Sequence, residues 1–277
     1  MVACILMQLF VAGLAMAVHG LLITFRDQIV LGKEYANQDA FMEAFYENIM
    51  STMSTGLFAY HVVATAVFFL WYYLLCRPNR HTKRSGKIMT GQMVGWSIAI
   101  GIALCVFCTQ LVYLLEYVLP EVVNDFYEIM ENAGFGVNIL MIFAAILLAP
   151  VGEELLCRGI IQHYAMKISR HFWVANVVQA LMFGIMHMNW VQGIYAFFIG
   201  LVLGWLRHRY QTLWVPILIH FVVNFSTSTW LGYLLEEIPR NLTTEFALLI
   251  LAIGATAGIL VVIGKGVGQA QPDANNR

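Results

Sequence analysis

NILMIFAAILLAPVGEELLCRGIIQHYAMKI, residues 138–168, is the stretch whose reading decides the fold. It opens as an apolar run, is interrupted at Pro150 and Gly152, and then carries Glu153, Glu154 and Arg158 among apolar neighbours. A helix needs about 20 mainly apolar residues to cross roughly 30 Å of hydrocarbon. No water is available there to satisfy a backbone, so such segments are helices rather than open strands. Ionisable groups at that depth are costly and usually functional.

The rest of the chain agrees with this reading. Of 277 residues, 60% are apolar and only 11% charged, and the mean hydropathy is +0.74. A soluble domain sits nearer half apolar and a quarter charged, so a soluble enzyme and a disordered chain are excluded. A formal charge of −1 supplies no basic surface for nucleic acid. Eight segments are apolar enough to be spans: Val2–Phe25, Met53–Leu75, Ile88–Leu115, Asn138–Ile168, Phe172–Met188, Val191–Leu206, Leu213–Leu235 and Phe246–Ile263. The expectation is an all-α polytopic membrane bundle of about eight transmembrane helices. Ala15-Met16-Ala17 resembles a signal cleavage site, but no Lys or Arg precedes Arg26, so the first segment reads as a retained span.

Charge sorts the loops. Eleven of the fifteen Lys and Arg lie in four segments that alternating spans place on one side: Arg77–Lys87, Lys167–Arg170, Arg207–Arg209 and the tail with Lys265 and Arg277. The opposite loops hold only Arg26, Lys33 and Arg240, together with thirteen of the sixteen acidic residues, whereas Asp273 lies in the tail. The positive-inside rule makes the basic side cytoplasmic, so both termini are expected inside, in the plasma membrane. Between the first two spans, Phe41, Phe45 and Ile49 recur at helical spacing and predict a short amphipathic outer helix. Asn241-Leu242-Thr243 is a glycosylation sequon. Cys105 and Cys108 sit inside an apolar helix without a second pair, which suits packing better than a zinc or redox site.

Three polar clusters remain at depth. Glu154 and Arg158 are four apart and share a helix face, so they can pair. Glu153 points about 100° away and stays free of that pair. His187 ends the fifth span after Phe183, and His220 and Asn224 lie four apart in the seventh. Together these groups form a hydrolytic set. A buried Glu can take a proton from water, a His can orient that water, and a His beside an Asn can donate to an oxyanion. No G-x-S-x-G or H-E-x-x-H occurs. Counted along each helix from its nearest basic-side loop residue, the three clusters differ in depth by roughly 10 Å, a spread that tilt and the Pro150 break have to close.

Glu153-Glu154…Arg158, Phe183…His187 and His220…Asn224 resemble, in order, the E-E-x-x-x-R, F-x-x-x-H and H-x-x-x-N motifs of the CPBP family. That family comprises the CAAX proteases and bacteriocin-processing (Abi) enzymes, related to the type II CAAX prenyl endopeptidase. The resemblance covers about Asn138–Trp230 and departs from the pattern at Cys157, where an aromatic residue is common. It implies an intramembrane glutamate-type endopeptidase with a cavity open towards the cytoplasm, cutting a peptide near the cytoplasmic leaflet. On that basis Glu153 and His187 activate water, His220 and Asn224 hold the oxyanion, and Glu154 and Arg158 support the site. No cofactor is expected; the alternative is zinc on Glu153, His187 and His220. Membrane lipid and a peptide or protein substrate are the expected partners. The chain then divides into N-terminal helices and outer loops (1–137), a CPBP-like catalytic core (138–235), and a last helix with tail (236–277), within one integrated domain. Two other classes fit the buried charges: a non-catalytic immunity or scaffold protein, and a proton-coupled transporter. Against the transporter, no paired broken helices mark matching halves of the sequence.

Overall fold

The computed structural model describes residues 2–76, 89–133, 138–228, 231, 234–235 and 237–266, with residues 2–8 and 266 as backbone only. The Arg77–Lys87 loop, Glu236, Asp273, Arg277 and the Cys4 side chain lie outside the described residues. Among those described, every regular element is helical: α1 (Val2–Ile29), α2 (Gln38–Ser51), α4 (Gly91–Val118), α5 (Pro120–Asn132), α7 (Phe172–Ile185), α8 (Trp190–Tyr210), α9 (Trp214–Thr227) and α10 (Leu242–Gly266), with the longer α3 (Met53–Cys76) and α6 (Ile139–Ser169) between them. The chain is thus an all-α polytopic bundle.

Among the described residues six helices, α1, α3, α4, α6, α8 and α10, are long and apolar enough to cross a membrane. The other two expected spans, α7 and α9, have only 14 residues each, about 21 Å at 1.5 Å per residue. Helix α7 stops early because the chain turns through Met188 at φ 53° and Asn189 caps α8, its side-chain oxygen accepting from Gln192 N–H at 3.1 Å. Helix α9 ends at Thr227 rather than running on to Leu235. Two short helices therefore end inside the bundle, and they carry His187 and Asn224 at or near their last turns.

Small residues set the helix spacing, as expected where backbone approach replaces hydrophobic driving force. Helices α7 and α8 form an antiparallel hairpin. A Cβ at Gly184 would meet the Gly193 carbonyl, one at Gly200 would meet Ala180, and one at Gly204 would meet the Asn176 and Gln179 side chains. Those amides are buried and bonded: Gln179 Nε2 donates to Gly200 O at 2.7 Å and Asn176 Nδ2 to Leu201 O at 3.0 Å. Gly101 on α4 meets Val222 on α9, and Gly56 on α3 meets Met16 and the Ala12 carbonyl on α1. Outward faces are apolar, with Phe10, Ile250 and Leu251 among the exposed side chains, and lipid would cover them.

The two ends differ in kind. At the acidic end, α2 and α5 are short helices outside the spans. Ile49 of α2 sits where a Cβ on Gly20 would fall, and Val123 and Phe126 of α5 are buried with Val112 and Val191. Arg240 bonds Glu116 at 2.8 Å and stacks on Tyr113 at 3.9 Å. Asn241 of the sequon caps α10, accepting from Thr244 N–H at 3.0 Å. At the other end Arg209 donates to the Ile263 and Gly264 carbonyls at 3.3 and 2.9 Å, satisfying the last turn of α10. Cys105 and Cys108 are free and buried, as a packing role requires.

Gly204→Ala should lower stability by about 2 kcal/mol, because the added methyl displaces two buried, bonded amides. Gly95→Ala, with nothing near its Cβ position, should change it by no more than about 0.5 kcal/mol. Thermal unfolding of the two variants in the same detergent checks the contrast.

Candidate active site

The site begins with a backbone irregularity that Pro150 imposes. Asn138 starts α6, its side-chain oxygen accepting from Leu140 N–H at 2.9 Å. The helix widens into a π-turn over Ala144–Leu148, where Ala149 N–H reaches back five residues to the Ala144 carbonyl. The next donor in that register would be Pro150, which has no N–H. The Ala145 carbonyl is thereby left open, and Asn224 Nδ2 of α9 donates to it at 2.8 Å. A proline in α6 thus fixes the position of an amide on another helix.

A second π-turn, Leu155–Ile161, carries Arg158. Arg158 Nη1 donates to Glu154 Oε1 at 2.7 Å, with both side chains fully shielded from solvent. The guanidinium lies over the Phe183 ring at 4.3 Å, a cation–π contact that helps offset its desolvation. The same Glu154 oxygen receives His220 Nδ1 at 3.0 Å. Glu154 Oε2 and Arg158 Nε and Nη2 are buried without a hydrogen-bond partner. One carboxylate therefore joins α6 to α9, and one ring joins α6 to α7.

Glu153 points elsewhere. It lines a cavity of about 1170 Å³ together with Phe183, His187, His220 and Asn224, whereas Glu154 and Arg158 lie behind the wall. Its Oε2 is 3.8 Å from His220 Nε2, so His220 faces one carboxylate with each nitrogen. The Phe183 ring makes edge contacts with His187 at 5.0 Å and with His220 at 5.6 Å. His187 Nδ1 is 2.7 Å from the Phe183 carbonyl. A carbonyl only accepts, so Nδ1 carries the proton and Nε2 keeps its lone pair in the neutral ring. Glu153, His187 and His220 line one cavity, so the roughly 10 Å spread in depth counted along the separate helices closes in the assembled bundle.

The sequence reading missed His61 on α3. It lines the same cavity as Glu153 and His187. No motif surrounds it, and one histidine in an apolar helix gives no signal until the helices assemble. Cys157, the departure from the family pattern, does not line the cavity; its thiol donates to Met186 sulfur at 3.8 Å, and Met186 does line it.

Among the described residues no three His, Cys, Asp or Glu side chains are placed to hold a metal ion. Glu153, His187 and His220 all line the cavity. The cavity walls run from Glu153 towards Met50, Ile129 and Arg240, at the acidic end.

Arg158→Met should destabilise the fold by about 3–5 kcal/mol, since Glu154 is left buried without its cation. Adding Glu154→Gln should recover part of that loss, as removing both charges leaves no uncompensated ion. Equal unfolding temperatures for the single and double variants would contradict the pairing.

Comparison with known proteins follows the same residues. Residues 135–226 match the family model described as type II CAAX prenyl endopeptidase Rce1-like. A curated relative, "Putative membrane peptidase YdiL" of Bacillus subtilis (strain 168), is 26% identical over 152 residues, 53% of this chain and 60% of the relative. The chain thus spans about 60% of the length of that relative. No solved structure matches it significantly. Residues 135–226 of this integral membrane chain, which hold all three motifs, are thus similar to the Rce1-like type II CAAX prenyl endopeptidases.

Proposed function

We propose that the chain is an intramembrane endopeptidase of the glutamate type, cutting a peptide bond inside the Glu153 cavity. The observation that carries this reading is the separation of two adjacent carboxylates into different tasks. Glu154 is consumed by Arg158 and His220, while Glu153 is left in the cavity beside His220 Nε2. An ion pair required only for structure needs no second carboxylate next to it.

In the proposed reaction a water lies between Glu153 and the lone pair of His187 Nε2. Glu153 takes its proton as the oxygen attacks the substrate carbonyl carbon. The oxyanion that forms is held by His220 Nε2–H, with Nδ1–H donating to Glu154, and by the Asn224 N–H that Ala145 does not occupy. Collapse breaks the C–N bond, and the proton taken from water passes to the departing amine. Arg158, stacked on Phe183, acts by holding Glu154, hence His220, in position. His61 adds a polar group to the lining of the same cavity. No step requires a metal. CAAX-type, bacteriocin and other membrane-associated peptides are the substrate classes that the family likeness suggests. The proposed setting is the plasma membrane, with both termini in the cytoplasm.

Glu153→Gln, His187→Ala and His220→Ala should each nearly abolish cleavage of a mixed library of prenylated and unprenylated peptides by the purified protein. Asn224→Ala should lose about 10²–10³-fold in kcat. A chelator should leave the wild-type rate unchanged. Undiminished cleavage by Glu153→Gln would sink the mechanism, and loss of activity with chelator, restored by zinc, would replace it with metal chemistry.

A further inference from the structure

The end of the bundle at which α6 and α8 finish carries basic groups without counter-charges. No Asp or Glu occurs in residues 48–115, 155–235 or 246–266, the stretches that build this end from α3, α4, α6, α7, α8, α9 and α10. Some of its cations are occupied. Arg209 donates to the Ile263 and Gly264 carbonyls, and Lys167 Nζ stands over the Tyr164 ring at 5.6 Å. Two groups are left over: Arg207 Nε and His163 Nε2 are shielded from solvent and have no hydrogen-bond partner. A shielded guanidinium donor without an acceptor is costly at the edge of a bilayer. Neither residue lines the Glu153 cavity.

Two contacts set the register that brings these groups together. Helices α6 and α8 run side by side in the same direction. A Cβ on Gly200 would lie 3.5 Å from Arg158 Nη2, and four residues further along both helices Gln162 Nε2 donates to Gly204 O at 3.0 Å. Continued by one turn, that register sets His163 and Lys167 of α6 alongside Arg207 of α8. His163 and Lys167 are four apart and share a face. One turn earlier on that face, a Cβ on Gly159 would meet the Tyr72 ring of α3 at 2.9 Å.

Aromatic residues mark the level. Trp173 and Trp214 stand at the start of α7 and α9 and are 65% and 63% exposed. Lys167 and Arg207 are each separated from one of them by a tight turn, through Arg170 at φ 58° and Gln211 at φ 56°. Exposed indoles at helix ends sit at the headgroup level of a bilayer, and phosphate is present at that level in either leaflet. A phosphate oxygen suits both orphaned groups. The guanidinium can bind it through two parallel N–H bonds, the imidazole N–H adds another, and Lys167 supplies charge. We infer that His163, Lys167 and Arg207 form a site for the phosphate of an anionic phospholipid, seated between α6 and α8. The lipid is the occupant rather than a soluble phosphate because the flanking tryptophans put the site where headgroups are.

Native mass spectrometry of the purified chain in detergent tests the site without requiring cleavage. Phosphatidylglycerol, phosphatidylcholine with the same acyl chains, and inorganic phosphate are offered separately. The wild-type chain should retain phosphatidylglycerol over phosphatidylcholine. Arg207→Gln should weaken that retention about fivefold, the effect of one cation at a bilayer surface, and Arg207→Lys should restore part of it. His163→Gln should weaken it as well, and carries the test if Arg207→Gln does not fold. Lys33→Gln, exposed at the other end, should leave it unchanged. Thermal unfolding without lipid shows that each variant is folded. Equal retention of the two lipids by the wild-type chain would overturn the inference, as would retention of phosphatidylglycerol undiminished in both Arg207→Gln and His163→Gln. Inorganic phosphate that stabilises the wild-type chain but not Arg207→Gln, with no preference between the lipids, would give the site to a soluble phosphate and overturn its lipid occupant.

Discussion

The carboxylate of Glu154 is the constraint on which the rest of the site depends. It is fully buried, and one of its oxygens meets both Arg158 at 2.7 Å and His220 at 3.0 Å. A charge in that position is tolerable only with partners at close range. The partners come from two directions, its own helix α6 and the facing α9. Arg158 in turn needs the Phe183 face of α7. Three helices are thus registered by one ionised group, and the register leaves Glu153 turned into open space. The free carboxylate and the bound one are adjacent in sequence because a helix separates neighbours by about 100°.

Backbone irregularity does the remaining positioning. Two π-turns lie in α6, one on each side of Glu153 and Glu154. The first, with Pro150, releases the Ala145 carbonyl that Asn224 then caps. The early ends of α7 and α9 have a similar effect, because a helix that stops within the bundle presents its last turn to an interior space. His187 sits at such an end, its ring held by the carbonyl of Phe183. Irregular backbone at membrane depth is tolerated where protein or a cavity surrounds it, and the cavity here supplies that surrounding.

The open side of the cavity and the sorting of charge give the molecule a polarity. Its acidic end is built from short helices, aromatic contacts and the Arg240–Glu116 pair, and the cavity walls extend towards it.

Much of this was legible in the sequence. Apolar length determined the helical bundle, because lipid leaves the backbone no other solution at this composition. Four-residue spacing determined that Glu154 faces Arg158 and that His220 shares a face with Asn224. The 100° step determined that Glu153 stands apart, and the recurrence of Phe41, Phe45 and Ile49 at helical spacing determined the outer helix α2. Other features needed the assembled fold. That α7 and α9 are short, that Asn224 spends one N–H on Ala145, and that His61 joins the wall all depend on contacts between residues distant in the chain. So does the direction in which the cavity walls run. Periodicity describes what one helix presents to its surroundings; only packing decides which surroundings it meets, and where among them a space is left.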